Sequence, residues 1–145
     1  MDLFLLAHVA GRPIAVAGAQ VESVVDLGEM VAAPGAGRAI RGLAALRSRV
    51  VTVIDTGVAL GLAPMPQSSR RAIITRVDGH HYAVLVDGLE DVAPFPAQPM
   101  VAGLARDGWA AAGAGLIERD GEPVLILDLA RLVPGPATPV AEMAA

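Results

Sequence analysis

Residues Val50-Val51-Thr52-Val53-Ile54 are β-branched at every position. Such side chains lose rotamer freedom in a helix and pack well on a pleated surface, so the run reads as a strand. It does not alternate apolar with polar residues, which is the pattern of a strand covered on both faces. Asp55 ends it. Its short acceptor side chain suits the cap of a following helical turn, with Val58 to Leu60 behind it. The stretch before the strand, Ile40 to Arg47, is punctuated by Arg and Gly and reads as a turn.

A strand covered on both faces needs other elements around it, and the sequence supplies mainly further strands. Leu3 to Val9 is apolar, Gly11-Arg12-Pro13 is a turn signal, and Ile14 to Ala17 is a second strand. Val21, Val24 and Val25 follow at mixed spacing, and residues 32–39 read as a loop. Ala63 to Ser69 is a linker by composition. Beyond it the pattern restarts: Arg71 to Val77 is a strand, Asp78-Gly79-His80 a turn, and Tyr82 to Val86 a strand. Residues 94–100 read as loop. Asp120-Gly121, between Leu116 to Glu118 and Pro123 to Leu127, is the strongest hairpin signal in the chain.

The restart is an internal repeat. An offset of 68 places Gly11 on Gly79, Ala15-Val16 on Ala83-Val84, Glu22 on Glu90 and Val24 on Val92. An offset of 73 places Val51 to Asp55 on Val124 to Asp128. Two half-domains of related β structure account for both, and many short strands with Gly and Pro turns point to small barrels or a sandwich. At 145 residues the chain is one ordinary domain. The tail after Val133 has the Pro, Ala and Thr composition of a disordered segment, so the domain is expected over residues 1–133 and the tail over 134–145.

Composition removes several kinds of chemistry. There is no cysteine, hence no disulfide, thiol catalyst or thiolate metal site. All 11 basic residues are Arg, so a Schiff-base lysine and a P-loop lysine are absent. Aromatic residues make up 3%, and the net charge is −4. Neither favours nucleic acid or an anionic membrane. No apolar run approaches the 18 or so residues of a membrane span. The start, Met1-Asp2-Leu3-Phe4, lacks the basic region of a signal peptide, and a cytoplasmic location is expected.

The motifs that could carry catalysis have plainer readings. Asp55-Thr56-Gly57 is the aspartic-protease signature, and Leu116-Ile117-Glu118-Arg119-Asp120 resembles a later segment of retroviral-type proteases. That reaction needs two carboxylates sharing a proton. The repeat offers Asp128-Leu129-Ala130 instead of a second Asp-Thr-Gly, so a homodimer would be required. Asp55 and Asp128 are expected to be equivalent strand-end caps, with the protease as the alternative. His80-His81 with Asp78 and Asp87 resembles a metal cluster, but adjacent strand residues point to opposite faces, so a solvated hairpin is the better reading, and no metal or other cofactor is expected. His8 reads as a satisfied or edge histidine. Gly35-Ala36-Gly37 and Gly113-Ala114-Gly115 lack the spacing of phosphate loops, and no serine has a His beside it. Of Arg38, Arg41, Arg47 and Arg49, three read as solvated turn residues. Arg47, between Leu46 and the strand, reads as a charge placed for a partner, with Glu22, Glu29 or a group on another protein as its counter-ion.

Ile40 to Arg47 followed by Val50 to Asp55 resembles the CheW-family pattern, in which an Asn-Leu-Arg-Gly turn leads into a strand ending in Asp. Leu85 to Val92 resembles that family's Val-Asp-Gly-Val segment, and Leu125 to Val133 its terminal Leu-Asp-Leu-x-x-Leu-Leu. The chain departs from the pattern at Ala45, Ser48, Thr52 and Thr56, where the family has Asn, Gly, Pro and Leu. The resemblance implies an all-β fold of two intertwined five-stranded SH3-like barrels with short helical turns. It implies a non-catalytic adaptor that couples chemoreceptor cytoplasmic tips to the regulatory domain of a CheA-type histidine kinase. It places Arg47, Gly42 and Leu43 in a receptor-side or inter-barrel region, and Val21 and Glu22 in a kinase-facing one.

Overall fold

The computed structural model describes residues 1–33 and 35–134. Eleven strands run through them: β1 (Asp2–Val9), β2 (Arg12–Ala17), β3 (Ser23–Asp26), β4 (Met30–Val31), β5 (Ile40–Leu46), β6 (Arg49–Ile54), β7 (Arg71–Val77), β8 (His80–Leu85), β9 (Gly88–Phe95), β10 (Gly113–Arg119) and β11 (Glu122–Leu127). Two short helices, α1 (Thr56–Ala59) and α2 (Asp107–Ala112), and two 3₁₀ turns, Gly18–Gln20 and Leu129–Arg131, complete the described chain. Apart from Pro134, the tail expected to be disordered lies outside the described residues.

The strands form two sheets, ordered β10-β11-β2-β1-β9 and β3-β7-β8-β6-β5-β4. The fold is the expected all-β one, with the two-residue β4 added to the second sheet. Each half lends a strand to the other. The hairpin β1-β2 lies in the first sheet while β3 crosses to pair with β7, Val24 opposite Ile73. The hairpin β7-β8 lies in the second sheet while β9 crosses to pair with β1, Val92 opposite Leu5.

The register proves the repeat. In the first sheet β11 runs parallel to β2, with Leu125 opposite Ile14 and Ile126 opposite Ala15. In the second, β6 runs parallel to β8, with Thr52 opposite Tyr82 and Val53 opposite Ala83. The offsets of 68 and 73 turn one pairing into the other residue for residue.

Alternation along these strands divides the apolar residues among three cores. Phe4, Leu6, Ala15, Ile117, Val124 and Ile126 fill the inside of the first sheet. Val51, Val53, Ala72, Ile74, Ala83 and Leu85 fill the second. Leu5, Ile14, Val16, Ile54, Ile73, Val84 and Leu127 meet between them. Leu5 and Ile73, equivalent under the repeat, both face this shared core. A strand such as β6 therefore has two apolar faces, which is why its sequence does not alternate: Val51 to Ile54 are all buried, and only Arg49 and Val50 at its start are exposed.

Three hairpins close through Ala10-Gly11, Asp78-Gly79 and Asp120-Gly121, each with positive φ at both residues. That is the type I′ arrangement, whose twist matches the flanking strands. Two expectations are corrected. Ile40 to Leu46 is strand β5, not a turn, because it pairs with β6 along its length. Ala63 to Ser69 is not a loose linker: Met65 is buried in the second core, and its N–H and carbonyl are both bound.

Candidate functional site

The turn between β5 and β6 and the crossover into β3 border one groove of about 380 Å³. Val24, Leu46 and Ile74 give it an apolar lining, and Glu22, Arg47 and Arg49 supply its charges. Arg47 occupies the hairpin tip with φ of 58°. The left-handed region costs an L-residue roughly 1–2 kcal/mol. No carboxylate pairs with Arg47 among the described residues. Its expected counter-ion Glu22 is engaged elsewhere. The Glu22 carboxylate lies 3.0 Å from His81 Nε2 and 3.9 Å from an Arg49 nitrogen. The same Arg49 nitrogen contacts His81 Nε2. Arg49, expected to be solvated, is thus part of a three-membered cluster.

The fold brings together two of the five residues singled out from the sequence. Glu22 and Arg47 share the groove although β7 and β8 lie between their strands in the sheet order. Val21, one residue before Glu22, is half-buried and packs against the shared core. Leu43 is half-buried within β5, between Val31 and Thr52. Gly42 is buried; a Cβ there would stand 2.6 Å from the Val31 carbonyl oxygen. Its lack of a side chain lets β4 approach β5.

Arg41 was expected to be solvated and is not. One guanidinium nitrogen lies 2.7 Å from the Asp55 carboxylate, and the side chains are 11% and 6% exposed. The guanidinium also donates to the carbonyls of Met65 and Pro66. Asp55 caps α1 by accepting from the Val58 N–H, and it accepts from the Met65 N–H as well. Asp128 caps the second 3₁₀ turn through the Ala130 N–H, so the two caps are equivalent as expected. The protease alternative finds no opening here. Every oxygen of Asp55 has a structural partner, and a Cβ at Gly57 would be 2.2 Å from the Ala63 carbonyl oxygen.

The histidines separate as strand geometry requires. His80 Nε2 lies 2.8 Å from the Thr52 hydroxyl, whereas His81 faces Glu22 and Arg49. His8 Nε2 lies 3.7 Å from Glu90 on the first sheet's edge strand. Two groups are displaced from their ordinary ionisation. Burial first, and the charge of Asp78 second, push the Tyr82 phenol up. The hydrogen bond and charge of Asp26 hold the exposed Arg71 guanidinium proton more firmly than usual. Among the described residues no helix is long and apolar enough to cross a membrane.

The family model for the CheW-like domain matches residues 3–136. The chain belongs to the CheW-like domain family. Among curated relatives, the chemotaxis protein CheW of Thermotoga maritima is 21% identical over 113 residues, which is 78% of this chain and 75% of that protein. Among solved structures, the scaffolding protein TtCheW of Thermoanaerobacter tengcongensis superposes with a TM-score of 0.79 at 21% identity. That match covers 93% of this chain and 89% of TtCheW, and it supports the fold. CheW-like membership accounts for the order of the three sequence motifs. The sequence motifs did not point to the roles of Arg41, Arg49 and His81, which the structure supplies.

Proposed function

We propose that this CheW-like chain is a non-catalytic adaptor in the cytoplasm. It couples chemoreceptor cytoplasmic tips to the regulatory domain of a CheA-type histidine kinase. An adaptor works through surfaces, and the observation that carries the reading is the groove in which Arg47 and Glu22 meet. Arg47 is a charge placed at an exposed tip, in a strained backbone conformation, with no internal partner among the described residues. Strain of that kind persists where the surrounding structure fixes it, and it recurs at binding sites. Membership of the family supports the adaptor role, and the burial of Asp55 speaks against the one catalytic motif in the sequence.

The test is binding of the purified chain to a kinase regulatory domain and to a receptor signalling tip, each measured by calorimetry. Saturable binding to both, weakened for at least one by Arg47→Ala, is the expected result. Absence of binding to either overturns the adaptor reading. Peptide cleavage that disappears in Asp55→Asn would replace it with the protease.

A further inference from the structure

His81 Nε2 is shared between two neighbours with opposite demands. Glu22 Oε2, 3.0 Å away, is an acceptor and requires a proton on that nitrogen. The Arg49 guanidinium is a donor with no acceptor capacity, and it requires the lone pair. One nitrogen cannot satisfy both at once. The imidazole is well enclosed, with 14% of its side chain exposed, whereas Glu22 and Arg49 reach it from the solvent side, 44% and 54% exposed. Among the described residues Glu22 is the one carboxylate paired with the ring. Arg49 faces it from β6, and Arg76, its cross-strand partner, from β7. On β8 itself, His80 is turned to Thr52, and Asp78 in the preceding turn acts on Tyr82.

We infer that His81 is a proton-operated selector of the groove's charge: neutral, it holds Arg49; protonated, it holds Glu22 and frees Arg49 for a carboxylate on the partner. This rests on the groove being the partner surface. With its proton on Nδ1, the neutral ring accepts from Arg49 and keeps that guanidinium against the wall. Imidazolium carries a proton on Nε2 in every case, so Arg49 loses its His81 acceptor and keeps only the long 3.9 Å contact to Glu22, whose carboxylate gains a closer charged donor. The groove then presents Arg47 and Arg49 above Val24, Leu46 and Ile74. That surface fits an acidic segment with apolar side chains. Imidazole changes charge between pH 5 and 8. Such a partner therefore binds more tightly as pH falls through that range, with uptake of one proton and no more than a tenfold change per pH unit.

The selector is read first in the chain alone. The His81 ring, the Arg49 guanidinium and the Glu22 carboxyl are followed by NMR from pH 5 to 8.5, with His8→Gln and His80→Gln used for assignment. Arg49 and Glu22 signals should move with the His81 midpoint, and both movements should vanish in His81→Gln, which keeps a donor and an acceptor but cannot titrate. An Arg49 signal that ignores the titration of His81 overturns the inference. Calorimetry with a CheA-type regulatory domain follows. Affinity should rise about three- to tenfold from pH 8 to pH 6 in the native chain and stay level in His81→Gln. Equal pH dependence in the two chains overturns the selector while leaving the adaptor reading intact. No binding at either pH, with the coupled NMR titration present, overturns the adaptor reading and upholds the selector.

Discussion

Arg41 and Asp55 form an ion pair 2.7 Å apart across the start of β5 and the end of β6, with both side chains almost closed to water. A buried pair is weak evidence for net stability, but removing one member leaves a charge without compensation, typically at about 3–5 kcal/mol. Arg41→Ala should cost that much in chemical denaturation. Asp55→Asn keeps an acceptor for the Val58 N–H, yet it should still cost about 2 kcal/mol or more, because the Arg41 charge is left with carbonyls alone. The equivalent cap at Asp128 faces Gln20 Nε2 at 2.7 Å and, at 3.3 Å, the half-exposed Arg131, a solvated pair worth little, instead of a buried arginine. Asp128→Ala should therefore cost only the roughly 0.5–2 kcal/mol of a lost cap. Equal losses at Asp55 and Asp128 would show that the ion pair adds nothing.

Gly42 should not tolerate even a methyl group. A Cβ there meets the Val31 carbonyl oxygen at 2.6 Å, a backbone atom that cannot rotate away. Overpacking of this kind costs about 1–3 kcal/mol, so Gly42→Ala should lower the melting temperature and loosen β4 from β5. Amide exchange at the Met30 to Ala44 pairing reads the second effect. A variant as stable as the native chain, with those amides equally protected, contradicts the steric account.

Tyr82 gives the alkaline side of the stability curve its sign. Its phenol is held above the ordinary value, chiefly by burial, so the folded chain keeps its proton longer than the unfolded chain does. The stabilisation is fully present below the unfolded value of about 10 and is lost as pH rises through the folded one. Tyr82→Phe should flatten this part of the curve while leaving the neutral region's slope unchanged. Phenolate absorbance should appear in the native chain only beyond its free-tyrosine range.

The architecture was legible because a strand with two apolar faces leaves a run such as Val51 to Ile54, and because the halves share register at two fixed offsets. Strand exchange was not readable from those residues alone: β3 has four residues at a sheet edge, and only its pairing with β7 makes it a strand. Arg41 was missed because a local reading saw a charge beside Gly42, while its partners come from Asp55 and the 65–66 backbone. His81 was weighed as a metal ligand and read as a solvated hairpin residue, whereas its side chain is only 14% exposed. Its neighbours Glu22 and Arg49 are 59 and 32 residues away in sequence and meet through the barrel. The site residues that sequence did reach, Arg47 and Glu22, stand at a turn tip and at a crossover, where exposure follows from topology.

Arg47 is where folding and binding should separate. Its side chain is exposed at the hairpin tip and touches no internal counter-ion among the described residues, so Arg47→Ala should change stability by no more than about 0.5 kcal/mol. If its guanidinium is paired and desolvated in the complex, the same substitution should weaken partner binding by about 2–5 kcal/mol, whereas a solvated rim charge would lose under about 1 kcal/mol. Arg47→Lys should rescue only part of the loss, since the planar two-donor fork is gone. Arg49 is unsuitable as an inert control because Glu22 and His81 engage it. Exposed Arg38, in the loop ahead of β5, is the better one, and Arg38→Ala should leave affinity for kinase regulatory domain and receptor tip unchanged. Affinity losses of the same size at Arg47 and Arg38 would mean that the partner senses net charge alone. An unchanged affinity for both partners in Arg47→Ala, in a chain that folds normally, would remove the hairpin tip from the binding surface.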